Sequence, residues 1–166
     1  YIPGSSLKGK MRCLLEQMEG AGLGESELIN KFFGSTDARH PLPSKLIVRD
    51  AMLTKESEEA LRNSASLDTP YTENKYENTI DRVKGTAQHP RQTERVPAGA
   101  VFNAEFVINV WDDDNAEEQQ NMLKKGIRAL ECDYLGGSGS RGYGQLKFGE
   151  LHIVELSSEN NWNVKA

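Results

Sequence analysis

Gly136-Gly137-Ser138-Gly139-Ser140-Arg141-Gly142-Tyr143-Gly144 stands between a segment with helical periodicity and one that alternates like a strand. Gly137, Gly139 and Gly142 match the spacing G-x-G-x-x-G. In a dinucleotide-binding fold that fingerprint follows a strand and opens a helix. Here the order is reversed, which excludes that fold. Tyr143 rather than lysine follows Gly142, so the stretch is not a P-loop either. What remains is a helix-to-strand connection with more glycine than a plain turn requires, five residues of nine, and glycine is costly to order. Free N–H groups beside one guanidinium, Arg141, are chemistry suited to holding a polyanion along its phosphates.

Working outward, residues 116–134 read as a helix with Leu123, Ile127, Leu130 and Tyr134 on one stripe. Asp114 or Asn115 is its expected cap, and the acids around it favour a helix start through the dipole. Residues 145–156 read as a strand whose phase changes at Gly149-Glu150, the mark of a β-bulge. Residues 100–110 are the cleanest strand, with Phe102, Ala104, Phe106, Ile108 and Val110 alternating with polar neighbours. Residues 45–53 are strand-like, and 54–62 form a short helix.

At the other end, Leu7, Met11, Leu14, Leu15 and Met18 predict a helix over 5–18, capped by Ser5 or Ser6 after a Pro-Gly turn. A breaker at 20–24 precedes a second short helix over 26–33, burying Leu28, Ile29, Phe32 and Phe33, and a loop at 34–44. Residues 71–97 are polar, rich in both charges and poor in apolar anchors, which predicts a projecting β-hairpin. The order is strand, helix, strand, arm, strand, helix, strand, once a strand ahead of Tyr1 is included. That is an α+β, ferredoxin-like (RRM-like) βαββαβ sandwich with a long insertion, its opening strand missing from this chain. The chain opens at Tyr1, without methionine, and reads as a fragment. The tail 157–166 is expected to be mobile.

The net charge of −5 is unpromising for a nucleic-acid binder, but Asp112, Asp113, Asp114, Glu117 and Glu118 account for five of 25 acids. The remaining 20 balance the 20 Lys and Arg residues, and phosphate binding depends on the local field. No apolar run approaches the ~20 residues of a membrane span. Cys13 and Cys132 form no metal-binding spacing, so reduced thiols and a cytoplasmic location are expected.

Ser5, Ser6, Lys8, Lys10 and Arg12 open the first helix, where an N-terminus can face an anion. The same residues also make an ordinary amphipathic helix with solvated lysines. In the arm, Arg82, Lys84, His89, Arg91, Gln92 and Arg95 interleave with Glu73, Glu77, Asp81 and Glu94. They form either a salt-bridged surface hairpin or a track for a nucleic-acid backbone, with Tyr71 and Tyr76 stacking on bases. His40, His89 and His152 have no partners at ligand spacing. Asp50, Glu73, Glu77 and Glu94 are the acids able to hold a hydrated divalent cation, with ion pairing the competing use of each.

Ile2-Pro3-Gly4-Ser5-Ser6-Leu7-Lys8-Gly9-Lys10-Met11-Arg12, Phe32-Phe33-Gly34 and Val48-Arg49-Asp50-Ala51 resemble the repeat-associated (RAMP) proteins of CRISPR systems. Three further stretches narrow the resemblance to the backbone subunits of type III-A (Csm) interference complexes. They are Tyr71-Thr72-Glu73 with Lys75-Tyr76-Glu77-Asn78-Thr79-Ile80-Asp81-Arg82, Pro90-Arg91-Gln92 with Glu94-Arg95, and Asp133-Tyr134-Leu135 running into the glycine loop.

The resemblance implies a palm (1–70 and 98–156), a thumb (71–97) and copies stacked along a CRISPR guide RNA beside other effector subunits. The first helix and Gly137, Ser138, Gly139, Ser140 and Arg141 would hold the guide, and the thumb would press into the guide–target RNA duplex. It also implies target-RNA cleavage with a divalent metal such as Mg2+. The credited aspartate lies in a loop ahead of the Pro-Gly-Ser-Ser motif and is expected to be absent here, which leaves the catalytic residues of this chain unknown and no metal assigned to it. A non-catalytic RNA-binding scaffold and an unrelated ferredoxin-like nucleotide-binding module are the competing readings.

Overall fold

The computed structural model describes residues 1–35, 37 and 39–156. Helix α1 (Gly4–Glu19) puts Leu7, Met11, Leu14 and Leu15 on its buried face and stops at Gly20, whose left-handed backbone returns its N–H to the Gln17 carbonyl. Met18 lies past the edge of that face and is exposed. Helix α2 (Glu27–Phe33) starts where the Ser26 hydroxyl accepts the Ile29 amide, and buries Ile29, Phe32 and Phe33. Leu28 points to solvent. Helix α3 (Lys55–Arg62) is capped by Thr54. Helix α4 (Ala116–Glu131) is capped by Asn115, which accepts from Glu117 and Glu118. It ends before Tyr134, so that residue lies beyond the helical stripe.

The expected strand over 45–53 is two strands, β1 (Leu46–Val48) and β2 (Met52–Leu53), and the one over 100–110 is β5 (Phe102–Asn103) and β6 (Phe106–Ile108). β1 pairs antiparallel with β6, and β2 with β5. Three residues on one side, Arg49, Asp50 and Ala51, face two on the other, Ala104 and Glu105, so the ribbon bulges between the ladders. The extra residue frees Asp50 from the ladder. Its carboxylate accepts the Gly4 amide at 2.8 Å, while Ile2 and Ala51 exchange backbone hydrogen bonds. Helix α1 is therefore capped by Asp50, with Pro3 at the N-cap position, and not by Ser5 or Ser6.

Residues 71–97 contain a hairpin of β3 (Glu73–Asp81) and β4 (Thr86–Arg95). Its register slips where His89 and Pro90 oppose Asn78. Pro90 has no N–H for the ladder, and His89 takes a positive φ of 52° to absorb the extra residue.

The core lies where α1 packs on α2, α4 and β1, with Met11, Leu15, Ile29, Leu46 and Leu130 fully buried. Emptying one such site by truncation to alanine costs about 2–5 kcal/mol. The strand expected over 145–156 is not formed. Leu146 and Phe148 pack against the core and the Phe148 amide donates to Glu131, but no ladder partner lies beside this segment among the described residues. The tail 157–166 lies outside the described residues.

Candidate nucleic-acid interface

The glycine loop closes on itself before it meets anything else. The Leu135 amide donates to the Gly144 carbonyl at 2.9 Å. A Cβ on Gly144 would overlap the Leu135 carbonyl, and one on Gly139 would overlap the ring of Tyr134. These two glycines serve the loop's own packing. A Cβ on Gly137 would meet open space among the described residues, its φ is not positive, and it sits with Ser138 and Ser140 on the exposed crest.

Tyr143, buried, joins this loop to the hairpin. Its hydroxyl donates to Glu77 Oε1 at 3.0 Å. Lys75 Nζ sits 4.4 Å from its ring centroid and the Arg95 guanidinium 5.0 Å. Alternation along β3 puts Glu73, Lys75 and Glu77 on one face, and the register sets Arg95 and Arg91 opposite Glu73 and Glu77.

Glu77 is the hub. Its Oε2 accepts from two nitrogens of Arg91 at 3.0 and 3.2 Å, Lys75 reaches Oε1 at 3.2 Å, and Arg141 of the loop stands 3.7 Å from Oε2. Hydrogen bonds from Arg91, then Lys75 and Tyr143, hold this carboxyl down at about 2. Arg95 pairs with Glu73. Four cations from two segments thus gather around Tyr143 with two carboxylates among them.

The first-helix residues are placed differently. Lys8 is half-buried and donates to Ser44 Oγ at 2.5 Å and the Leu46 carbonyl at 2.7 Å; burial, then the neighbouring Arg12, lower its pKa. Arg12 bonds Glu16, the Gly34 carbonyl and Asn30, fastening α1 to α2. Lys10 pairs with Asp133 at 2.8 Å and lies 4.1 Å from the Tyr134 ring centroid, tying α1 to the entry of the glycine loop. Ser5 and Ser6 are exposed.

Gln92 faces Tyr76 across the hairpin, on the side turned away from Tyr143. Tyr76 is 72% exposed, whereas the Tyr71 hydroxyl accepts from Arg62. Arg82 stands in the exposed turn at the hairpin tip, five residues past Glu77 and so about 16 Å along the strand direction.

A profile of the RAMP superfamily matches residues 1–147. Three relatives carry the name CRISPR system Cms endoribonuclease Csm3. That of Streptococcus thermophilus is 39% identical over 99% of this chain and 74% of its own length. That of Methanocaldococcus jannaschii is 42% identical over 92% of this chain and 64% of its own. That of Methanothermobacter thermautotrophicus is 37% identical over 96% and 71%. The chain belongs to the Csm3 branch of the RAMP superfamily. It spans about two thirds to three quarters of the length of these Csm3 relatives.

Of the residues singled out from sequence, Arg91, Arg95 and Arg141 come together at Tyr143, Lys10 joins them indirectly through the loop, and Arg82 and Gln92 stand apart. Sequence reasoning missed Lys75 and Tyr143 as members of this cluster, and weighed Glu77 only as one of four acids. The alternation of Glu73, Lys75 and Glu77 was the available signal. Among the described residues no three His, Cys, Asp or Glu side chains gather as a metal group, and no helix is long and apolar enough to cross a membrane.

Proposed function

We propose that this chain is the guide-RNA-binding backbone subunit of a type III CRISPR effector and takes part in target-RNA cleavage. The observation that carries the reading is the convergence of Arg91, Arg95, Lys75 and Arg141 where the hairpin base meets the glycine loop, in a chain whose Csm3 relatives are named endoribonucleases. Guanidinium groups beside exposed main-chain N–H groups match the geometry of a sugar–phosphate backbone.

In this reading the exposed face of Gly137, Ser138, Ser140 and Arg141 follows the guide, together with Ser5 and Ser6, and Gly139 keeps the loop packed on Tyr134. Lys8, Lys10 and Arg12 hold that surface in shape and lend it positive potential. Residues 1–70 and 98–156 form a ferredoxin-like palm. The segment 145–156 gains its ladder partner from a strand ahead of Tyr1. Residues 71–97 form the thumb, whose Arg82 and Gln92 meet the guide–target RNA duplex away from the Tyr143 cluster. Copies of the chain stack along one guide beside other effector subunits in the cytoplasm.

The four acids singled out from sequence, Asp50, Glu73, Glu77 and Glu94, do not fit a catalytic divalent ion. Asp50 caps α1, Glu73 pairs with Arg95, Glu77 is held by Arg91, Lys75 and Tyr143, and Glu94 accepts the Thr72 hydroxyl at 2.6 Å. Cleavage is therefore assigned to a residue outside this set, in keeping with an aspartate ahead of Tyr1.

The test is to purify the native assembly that contains the full-length protein, sequence its nucleic acid and add complementary RNA with and without a chelator. Repeat-derived RNA of defined length and cleavage that the chelator stops are expected. Random RNA fragments, or none, would overturn the reading.

A further inference from the structure

Glu77 occupies an unusual place for a residue beside a phosphate track. One of its oxygens, Oε2, lies between two guanidinium groups from separate parts of the chain, Arg91 of β4 at 3.0 Å and Arg141 of the glycine loop at 3.7 Å. A carboxylate oxygen between two guanidinium forks is where a phosphate oxygen would sit. The cations face outward: the side chains of Arg91 and Arg141 are 43% and 50% exposed, whereas that of Glu77 is 15% exposed. An RNA phosphate arriving from solvent reaches the outer edges of guanidinium groups whose inner edges Glu77 already holds. Glu73 is taken by Arg95, so Glu77 is the acid that offsets Arg91, Lys75 and Arg141.

We infer that Glu77 is an internal competitor for RNA phosphates, a positioning residue that fixes Arg91 and Arg141 in a phosphate-ready geometry while lowering their affinity for any single phosphate. The inference rests on the RNA-binding reading above. Its consequence is a guide track that is ordered before RNA arrives and yet does not hold arbitrary RNA tightly. A plain structural ion pair makes the opposite prediction, because its removal would loosen the hairpin base and weaken binding.

The experiment compares the full-length wild-type protein with Glu77→Gln and Glu77→Asp. The probe is a fluorescently labelled, unstructured single-stranded RNA, titrated across a series of KCl concentrations, with circular dichroism to check folding. Glu77→Gln should bind about two- to fivefold tighter, the range an exposed ion pair is worth. Its affinity should fall more steeply with salt, by about 0.7 in the log–log slope, as for one added phosphate contact on a single strand. Glu77→Asp, which keeps the charge, should match wild type in slope. Unchanged or weaker binding by Glu77→Gln, a misfolded Glu77→Gln, or tighter binding by Glu77→Asp as well would overturn the inference while leaving wild-type RNA binding intact. A wild-type protein that binds no RNA would instead remove the function reading and the inference with it.

Discussion

The Asp50 carboxylate accepts the Gly4 amide at 2.8 Å, so a residue in the bulge between β1 and β2 caps a helix that begins 46 positions earlier. Gly4 has no room for a side chain there, because a Cβ would overlap the Val48 carbonyl. The motifs Pro3-Gly4-Ser5-Ser6 and Val48-Arg49-Asp50 are two halves of one joint. Asp50→Ala should cost about 1 kcal/mol, as for other lost caps, and lower Tm by about 2–4 °C for a chain of this size. Asp50→Asn should recover most of it, and Gly4→Ala should be worse than either. Thermal unfolding by circular dichroism measures all three, and an Asp50→Ala protein as stable as wild type would show that the cap contributes nothing.

Lys8 and Arg141 carry the same charge and should behave differently. Lys8 is half-buried on Ser44 and Leu46, so Lys8→Met should lower stability by about 1 kcal/mol with a small change in the salt dependence of RNA binding. Arg141 is half exposed, and among the described residues its ion pair is a loose 3.7 Å contact with Glu77. Arg141→Gln should leave Tm within about 1 °C and flatten the log–log salt slope by about 0.7. Equal slope changes from both substitutions would place Lys8 on the RNA and refute the distinction.

The helices were legible because their signals are local. Periodicity and the cap at Asn115 lie within a few residues of the turns they mark, and the caps at Ser26 and Thr54 that the structure adds are equally local. The hairpin was legible from composition. The strand breaks were not, because the bulge at Arg49-Asp50-Ala51 exists to serve Gly4, a contact that alternation within 45–53 cannot reveal. Segment 145–156 alternates like a strand, yet pairing needs a neighbour, and pattern alone does not supply one. The charged residues of the site were visible as a set, but their division was set by tertiary contact. Lys8 and Arg12 turned inward onto carbonyl oxygens, while Arg91 and Arg141 converged on one carboxylate.

Acid should remove the stabilisation that the Glu77 carboxylate gives the folded chain. Glu77 is held at about 2 against an ordinary 4.5, chiefly by Arg91 and Lys75. A carboxyl lowered in the folded state stabilises it fully above the unfolded value and loses that contribution as pH falls toward the folded one. The difference in Tm between wild type and Glu77→Gln should be constant above about pH 5 and shrink between about pH 4.5 and 2. Asp114, lowered by Lys45 and the Trp111 amide, and Glu131, lowered by the Phe148 amide, lose stability in the same direction. They do so equally in both proteins, so the difference isolates Glu77. A gap that stays constant down to pH 2.5 would mean that the carboxylate's partners do not hold it in solution.

Gly137 and Gly144 should separate the loop's packing from its binding. Gly144 takes a φ of 71° and stands against the Leu135 carbonyl, so Gly144→Ala carries both a left-handed backbone and a steric overlap and should cost about 1–3 kcal/mol. A Cβ on Gly137 would meet nothing within 4 Å among the described residues, so Gly137→Ala should leave stability within about 0.5 kcal/mol. If the exposed crest receives an RNA backbone, a methyl group at 137 intrudes where a phosphate must approach main-chain N–H groups. Gly137→Ala should then weaken RNA binding about three- to tenfold, the loss expected for one ordinary hydrogen bond, at unchanged Tm. Paired measurements of unfolding and RNA titration on the two variants decide it. A Gly137→Ala protein that binds RNA like wild type would move the contact to another part of the crest, and one that loses stability like Gly144→Ala would make the whole loop a packing element.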